Sequence, residues 1–231
     1  MKKLIFSAAL LVLVAGATAE AAGPVDGEIG AVWWNSEFDS TGATAMTDDA
    51  GAPGYRASLW LFNRYGIKAG MYEANLDPGV APASDYTSID FMWRAFSPTQ
   101  NNYVAVGLGW QQMDLLSIGI DGSTSGARIN VEGRVGLGKI VFAYGEGSYL
   151  PSLDDASALD PMYGQFQDMS GMEYEVGISV KPAPFMNIRA GYRAHSVDFM
   201  QTGLDPLLGL GPDMDGSAES NGLLLGAVFN F

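Results

Sequence analysis

The sequence predicts an all-β fold, a ten-stranded antiparallel transmembrane β-barrel, on three observations. Segments of about ten residues alternate apolar and polar positions with period two, and the connections between them are short and long in turn. The final segment, 222–231, sets Leu223, Leu225, Ala227, Phe229 and Phe231 on one apolar face that runs to the terminal carboxylate. A chain end frays unless something holds it, and so apolar an edge invites aggregation unless another strand closes on it. Third, the charged residues beyond the leader separate as a lumen, short turns and long outer loops would separate them.

The leader comes first. Met1-Lys2-Lys3 is basic, 4–14 is apolar and 15–22 offers small residues at cleavage spacing, which predicts a signal peptide over 1–22 and a barrel domain over 23–231. A helical anchor needs about 18 apolar residues, and this run is shorter. Cysteine is absent, which removes disulfides, a lipid-modified N-terminal Cys and Cys-based metal sites. A formal net charge of -14 argues against a nucleic-acid partner, because phosphate binding needs a basic surface. No cofactor is expected: Gly107-x-Gly109 and Gly136-x-Gly138 precede no helix and are not nucleotide signatures.

Ten strands follow. The first, 25–35, sends Val25, Gly27, Ile29, Ala31 and Trp33 outward and Asp26, Glu28, Gly30 and Val32 inward. A loop over 36–53 leads to the second, where Tyr55, Ala57, Leu59 and Leu61 alternate with Arg56, Ser58, Trp60 and Phe62. Asn63-Arg64-Tyr65-Gly66 is the tight turn into the third, with Lys68, Gly70 and Tyr72 inward. After 75–85 the fourth sets Thr87, Ile89, Phe91 and Trp93 against Ser88, Asp90, Met92 and Arg94. The fifth places Val104, Val106, Leu108 and Trp110 outside, and its inward Ala105, Gly107 and Gly109 make room in a narrow lumen.

The sixth is the plainest, with Ala127, Ile129, Val131, Gly133 and Val135 alternating with Arg128, Asn130, Glu132 and Arg134. The seventh starts after Gly138-Lys139 and directs Phe142, Tyr144, Glu146 and Ser148 inward. A loop over 150–170 precedes the eighth, whose inner face is Glu173, Glu175, Gly177, Ser179 and Lys181. Pro182-Ala183-Pro184 turns the chain into the ninth, with Asn187, Arg189, Gly191, Arg193 and His195 inward, and a loop over 198–218 leads to the closing strand. An even count returns both termini to one side. One misread loop would make the count eight or twelve.

On this reading the lumen is lined by Arg56, Lys68, Asp90, Arg94, Arg128, Glu132, Arg134, Glu146, Glu173, Glu175, Arg189, Arg193 and His195, while Arg64 and Lys139 sit in short turns. The long loops carry acids and no bases. A register error would put cations on the lipid face at a few kcal/mol each. A lumen of this strand number is only modestly wider than one filled by side chains, and a lone buried charge is costly, so these groups must pair. Pairing predicts a polar plug; the alternative is a narrow water-filled path whose acidic mouth concentrates cations. Trp93, Phe185, Phe229 and Phe231 at the turn end, and Trp33, Tyr55, Trp110 and Tyr149 at the other, suit interfacial girdles.

The last strand, through Leu225, Ala227, Phe229 and Phe231, resembles the C-terminal signal of Gram-negative outer-membrane β-barrels, which the barrel-assembly machinery reads. The resemblance implies an integral outer-membrane protein that meets that machinery during insertion and lies in outer-membrane lipid and lipopolysaccharide afterwards. Divalent cations bridging the acidic loops to lipopolysaccharide are a further expectation. Asp213-Met214-Asp215-Gly216 matches a fragment of a calcium loop but lacks the third acid and terminal Glu, so no metal ligand is assigned.

The single histidine, His195, has Ser196 and Asp198 nearby and Glu173 on the neighbouring strand. His195 and Ser196 point to opposite faces, and the local patterns of omptin proteases and lipid A deacylases are absent. No catalytic residue is assigned. The expected function is a non-enzymatic, structural or surface-interacting barrel, ahead of a narrow porin-like channel and of a rim hydrolase acting on lipid A or peptides through His195.

Overall fold

The computed structural model describes residues 25–42, 46–76, 84–99, 101–115, 120–158, 160–204 and 213–231; the expected signal peptide lies outside them. In chain order the strands are β1 (Val25–Ser40), β2 (Met46–Leu61), β3 (Tyr65–Leu76), β4 (Ser84–Thr99), β5 (Asn102–Leu115), β6 (Ile120–Asp121), β7 (Thr124–Gly136), β8 (Val141–Leu150), β9 (Ala156–Ala158), β10 (Gln165–Ala183), β11 (Met186–Thr202) and β12 (Asp213–Asn230). Ten of them form the closed antiparallel barrel, in the ring order β1-β2-β3-β4-β5-β7-β8-β10-β11-β12. The two short ones, β6 and β9, pair with each other, and β9 pairs with the start of β10.

Closure falls on the last strand. β12 lies against β1 from Glu28↔Asn230 to Ser40↔Ala218, and Gly27 and Phe231 exchange backbone hydrogen bonds of 2.9 and 3.0 Å. The terminal residue is thereby held by the first strand. Gly27 leaves room for the Phe231 ring, since a Cβ on it would stand 2.4 Å from that ring and the ring would have to shift.

Several strands extend beyond the predicted bounds. β1 reaches Ser40 and β2 begins at Met46, so most of the expected loop over 36–53 is barrel wall. β10 starts at Gln165, β11 runs to Thr202 and β12 starts at Asp213, which shortens the loops expected over 150–170 and 198–218. Asp213-Met214-Asp215-Gly216 opens β12 and is not a loop at all.

The reason is a reversal in the sign of the alternation. In β11, Asn187, Arg189, Arg193 and His195 are buried while Ile188, Ala190 and Tyr192 are exposed; further on, Val197 and Phe199 are buried and Asp198 is exposed. β1 reverses likewise, from exposed Ala31 and Trp33 to exposed Asn35, Glu37 and Asp39 over buried Trp34 and Phe38. One half of the wall is apolar outside and charged inside, and the other half is acidic outside and apolar inside. In β1 and β11 period two is unbroken through the reversal, because side chains alternate faces whatever their chemistry; in β10 a bulge between Gln167 and Ser170 interrupts it.

Outside the first half, Ile67, Phe91, Leu108, Val131, Val176, Ile188 and Leu223 are among the exposed residues of a continuous apolar belt. A belt of that extent marks contact with another apolar phase. Inside the second half, Trp34, Phe38, Tyr72, Tyr86, Met113, Leu150, Phe166, Met169, Val197, Phe199 and Leu224 belong to one packed cluster. Trp34 meets Tyr72 and Tyr86 edge-on at 6.0 and 6.5 Å, and Phe166 meets Phe199 at 5.0 Å, the separations aromatic pairs favour.

The turn after β2 is earlier than predicted. Phe62 and Asn63, each with φ of 54°, form its centre, and Arg64 N–H donates to Leu61 O at 3.0 Å; Tyr65 and Gly66 already belong to β3. Two central residues at positive φ make the hairpin turn whose twist matches that of the strands.

Candidate functional site: a charge-filled lumen

Between the apolar cluster and the turn end, the lumen is packed with ions. Glu28 of β1 accepts two hydrogen bonds from Arg134 of β7, at 2.8 and 3.2 Å, and a third from Arg189 of β11 at 2.7 Å. Lys68 of β3 donates to Glu132 at 2.8 Å and also pairs with Glu146. Arg56 of β2 reaches Glu175 at 2.8 Å and Glu146 at 3.0 Å. Glu146 is a hub, since Arg128 and Asn130 also donate to it, at 3.3 and 3.1 Å.

Nearer the apolar cluster, Arg128 contacts Gln111 at 2.6 Å and Glu173 at 3.2 Å. Its Nε stands 3.2 Å from Asp90 as a charge contact without hydrogen-bond alignment. Arg193 pairs with Glu173 at 2.7 Å and Glu175 at 3.3 Å and lies over the Tyr72 ring, 4.0 Å from its centroid. At the turn end Arg94 is sandwiched between Trp60 and Tyr103, at 3.9 and 4.2 Å, bonds Asn63 and stands 3.8 Å from Asp26. Cation–π contacts of this kind gain strength when desolvated.

The sums decide what such a lumen can do. Seven cations (Arg56, Lys68, Arg94, Arg128, Arg134, Arg189, Arg193) pair with seven acids (Asp26, Glu28, Asp90, Glu132, Glu146, Glu173, Glu175), so the paired set carries no net charge. A cavity lined by Glu28, Arg56, Ser58, Lys68, Glu132 and Arg189 has a volume of about 20 Å³, room for about one water. Close approach is permitted by Gly109 opposite, where a Cβ would stand 2.2 Å from Asp90 Oδ1.

All thirteen residues named from the sequence as lumen-lining lie on this inner face, and twelve of them enter ion pairs. The thirteenth, His195, is 3 % exposed, packs on the Tyr86 ring at 4.7 Å and lies 3.4 Å from Gln111 Nε2. Glu173 is its neighbour across the strand pair. Lys181, expected to face inward, is half-buried at a bulge between Val180 and Ala183 and enters no ion pair among the described residues. Leu225, Ala227 and Phe229 lie exposed on the outer face of β12.

Tyr72 and Tyr103 are partners that inward parity alone does not single out, because a phenol reads as filler until a guanidinium is known to face it. Among the described residues no three His, Cys, Asp or Glu side chains converge on a metal site.

No protein-family model matches the sequence, and neither does any curated protein. The outer membrane protease OmpT from Escherichia coli is similar in structure, with a TM-score of 0.52 and 11% sequence identity over 93% of this chain and 99% of that one. The fold is that of an outer-membrane β-barrel. The COG4313 outer membrane channel from Pseudomonas putida F1 superposes more loosely, with a TM-score of 0.45 and 10% identity over 93% of this chain and 98% of that chain. So does Ail, the attachment invasion locus protein of Yersinia pestis, at 0.37 and 13% over 90% of this chain and 100% of that chain.

Proposed function

We propose that this chain is an integral outer-membrane barrel that does not conduct, and that it acts as a structural or surface-interacting protein through its acidic outer half. The single observation that carries the reading is the double closure of the lumen. A neutral, interlocked ion-pair layer fills one part, and a packed apolar cluster fills the next. Ions crossing would have to break buried pairs and then enter hydrocarbon-like packing, each step unfavourable by several kcal/mol.

The same packing supports a non-enzymatic role. His195 lies beneath the apolar cluster against Tyr86 and Gln111, away from any substrate at the rim. Export through a cleaved signal peptide and insertion by the barrel-assembly machinery, read from Leu225, Ala227, Phe229 and Phe231, belong to this proposal. So do lipopolysaccharide as neighbour and divalent cations that bridge the acidic outer half to its phosphates; Glu73, Asp85 and Asp114, opposite one another on β3, β4 and β5, add to the negative charge there without converging on one ion. Like charges so placed repel, and a bridging cation relieves that.

Planar-bilayer recording of the refolded mature chain tests the reading. Silence from a correctly folded barrel is expected, and steady single-channel conductance would overturn it.

A further inference from the structure

Among the described residues, the cations outside the ion-pair layer all lie at one end of the barrel. Arg64 is exposed in the turn between β2 and β3, Lys139 is exposed in the turn between β7 and β8, and Lys181 is half-buried where β10 ends. None enters an ion pair among the described residues; Asp26, whose side chain is 25% exposed, stands beside Arg94.

Each cation has large apolar side chains around it that face away from the barrel. Lys139 and Lys181 belong to adjoining turns, because Lys181 N–H donates to Ile140 O at 2.7 Å. Leu137, Ile140 and Phe185, among the most exposed apolar residues of the chain, flank that pair. On the other side of the ring Arg64 lies over Trp93, 5.9 Å from the ring centroid, amid exposed Phe62, Tyr65 and Phe96. Polar turns are expected to face water; these turns instead alternate cation and hydrocarbon. That pairing fits a ligand with a negative head and an apolar tail.

We infer that this rim binds the headgroups of anionic glycerophospholipids in the leaflet at the turn end, with Lys139 and Lys181 forming one site and Arg64 a second. The inference rests on the membrane-barrel reading above. The phosphate and its net negative charge face the ammonium or guanidinium groups, and the acyl chains lie along Ile140, Val180 and Phe185 or along Tyr65 and Trp93. Cations near an anionic surface and aromatic side chains at headgroup depth reinforce each other in this arrangement. A protein partner with an acidic surface would satisfy the charges alone, but it would leave Phe62, Phe96, Leu137 and Phe185 without a matching tail.

The test uses the full mature barrel in vesicles of equal phosphatidylcholine and phosphatidylglycerol, with retained lipids counted by native mass spectrometry after release. The comparison is a triple variant, Arg64→Gln with Lys139→Gln and Lys181→Gln, and a charge-keeping control, Lys139→Arg with Lys181→Arg. Insertion of each protein is checked first by protease resistance, so failure to insert counts against the membrane reading and not against this one. Inserted wild type and control should retain phosphatidylglycerol over phosphatidylcholine, and the triple variant should lose about fivefold of that preference for each cation removed. Equal retention of both lipids by inserted wild type, or an unchanged preference in the triple variant, would overturn the inference. Capture of a soluble poly-glutamate peptide without lipid preference would overturn it in favour of a protein partner.

Discussion

Glu28 and Arg134 stand on strands five places apart around a ring of ten, β1 and β7, and yet they are joined by two hydrogen bonds of 2.8 and 3.2 Å. The barrel is thus braced across its full width, and the brace is ionic. Arg189 makes a third bond to the same carboxylate, so Glu28 offsets two buried guanidinium groups.

Glu28→Ala therefore leaves two cations without their shared acid. Removing one member of a buried ion pair costs about 3–5 kcal/mol. Urea unfolding in lipid vesicles should show a loss of that order, whereas Glu37→Ala, on the exposed outer face, should shift stability by less than about 0.5 kcal/mol.

The ion-pair layer is largely legible in the sequence: the run Arg128-Ile129-Asn130-Val131-Glu132-Gly133-Arg134 alternates polar and apolar at period two, as a sheet with one wet face also would, and the leader, the terminal Phe231 and the aromatic rims together indicate that the polar face is the inner one. What could not be read is which groups meet. Arg56 pairs with Glu146 and Glu175 across 90 and 119 residues, and nothing local encodes that. The outer half of the wall reads as loop in the sequence for a different reason. Val197, Asp198 and Phe199 carry the same period as the strand below them with the opposite sign, and a pattern sought as apolar-out ends where the sign turns over.

Phe166→Ala removes a fully buried ring that packs against Phe199. Such truncations cost about 3–5 kcal/mol. The melting temperature of the folded barrel should fall, while the exposed Phe185→Ala should change it little.

The two closures of the lumen act in series. Glu146→Ala disrupts the hub that serves Arg56, Lys68 and Arg128, but the apolar cluster remains shut and the variant should stay silent in a planar bilayer. Adding Trp34→Ala and Phe38→Ala should produce measurable conductance. A single variant that conducts as well as the triple would show that only one barrier exists.

Phe231 contributes two backbone bonds to Gly27 and a ring packed on it. If the barrel-assembly machinery reads the last strand as proposed, deleting Phe231 should lower the yield of heat-resistant barrel in cells more than it lowers refolding yield in detergent, since closure along the rest of β12 is retained. Equal losses in the two assays would mean that Phe231 acts only through packing.

The reversal of polarity between the two halves of the wall is tested most directly by single cysteines in the cysteine-free chain. Ile188→Cys, Asp198→Cys and Phe199→Cys would be exposed to a membrane-impermeant maleimide on intact cells. Labelling is expected at Asp198→Cys, with protection by lipid at Ile188→Cys and by packing at Phe199→Cys, the last becoming reactive on unfolding. Labelling of Ile188→Cys as readily as Asp198→Cys would contradict the reversal, because the apolar belt would then face water.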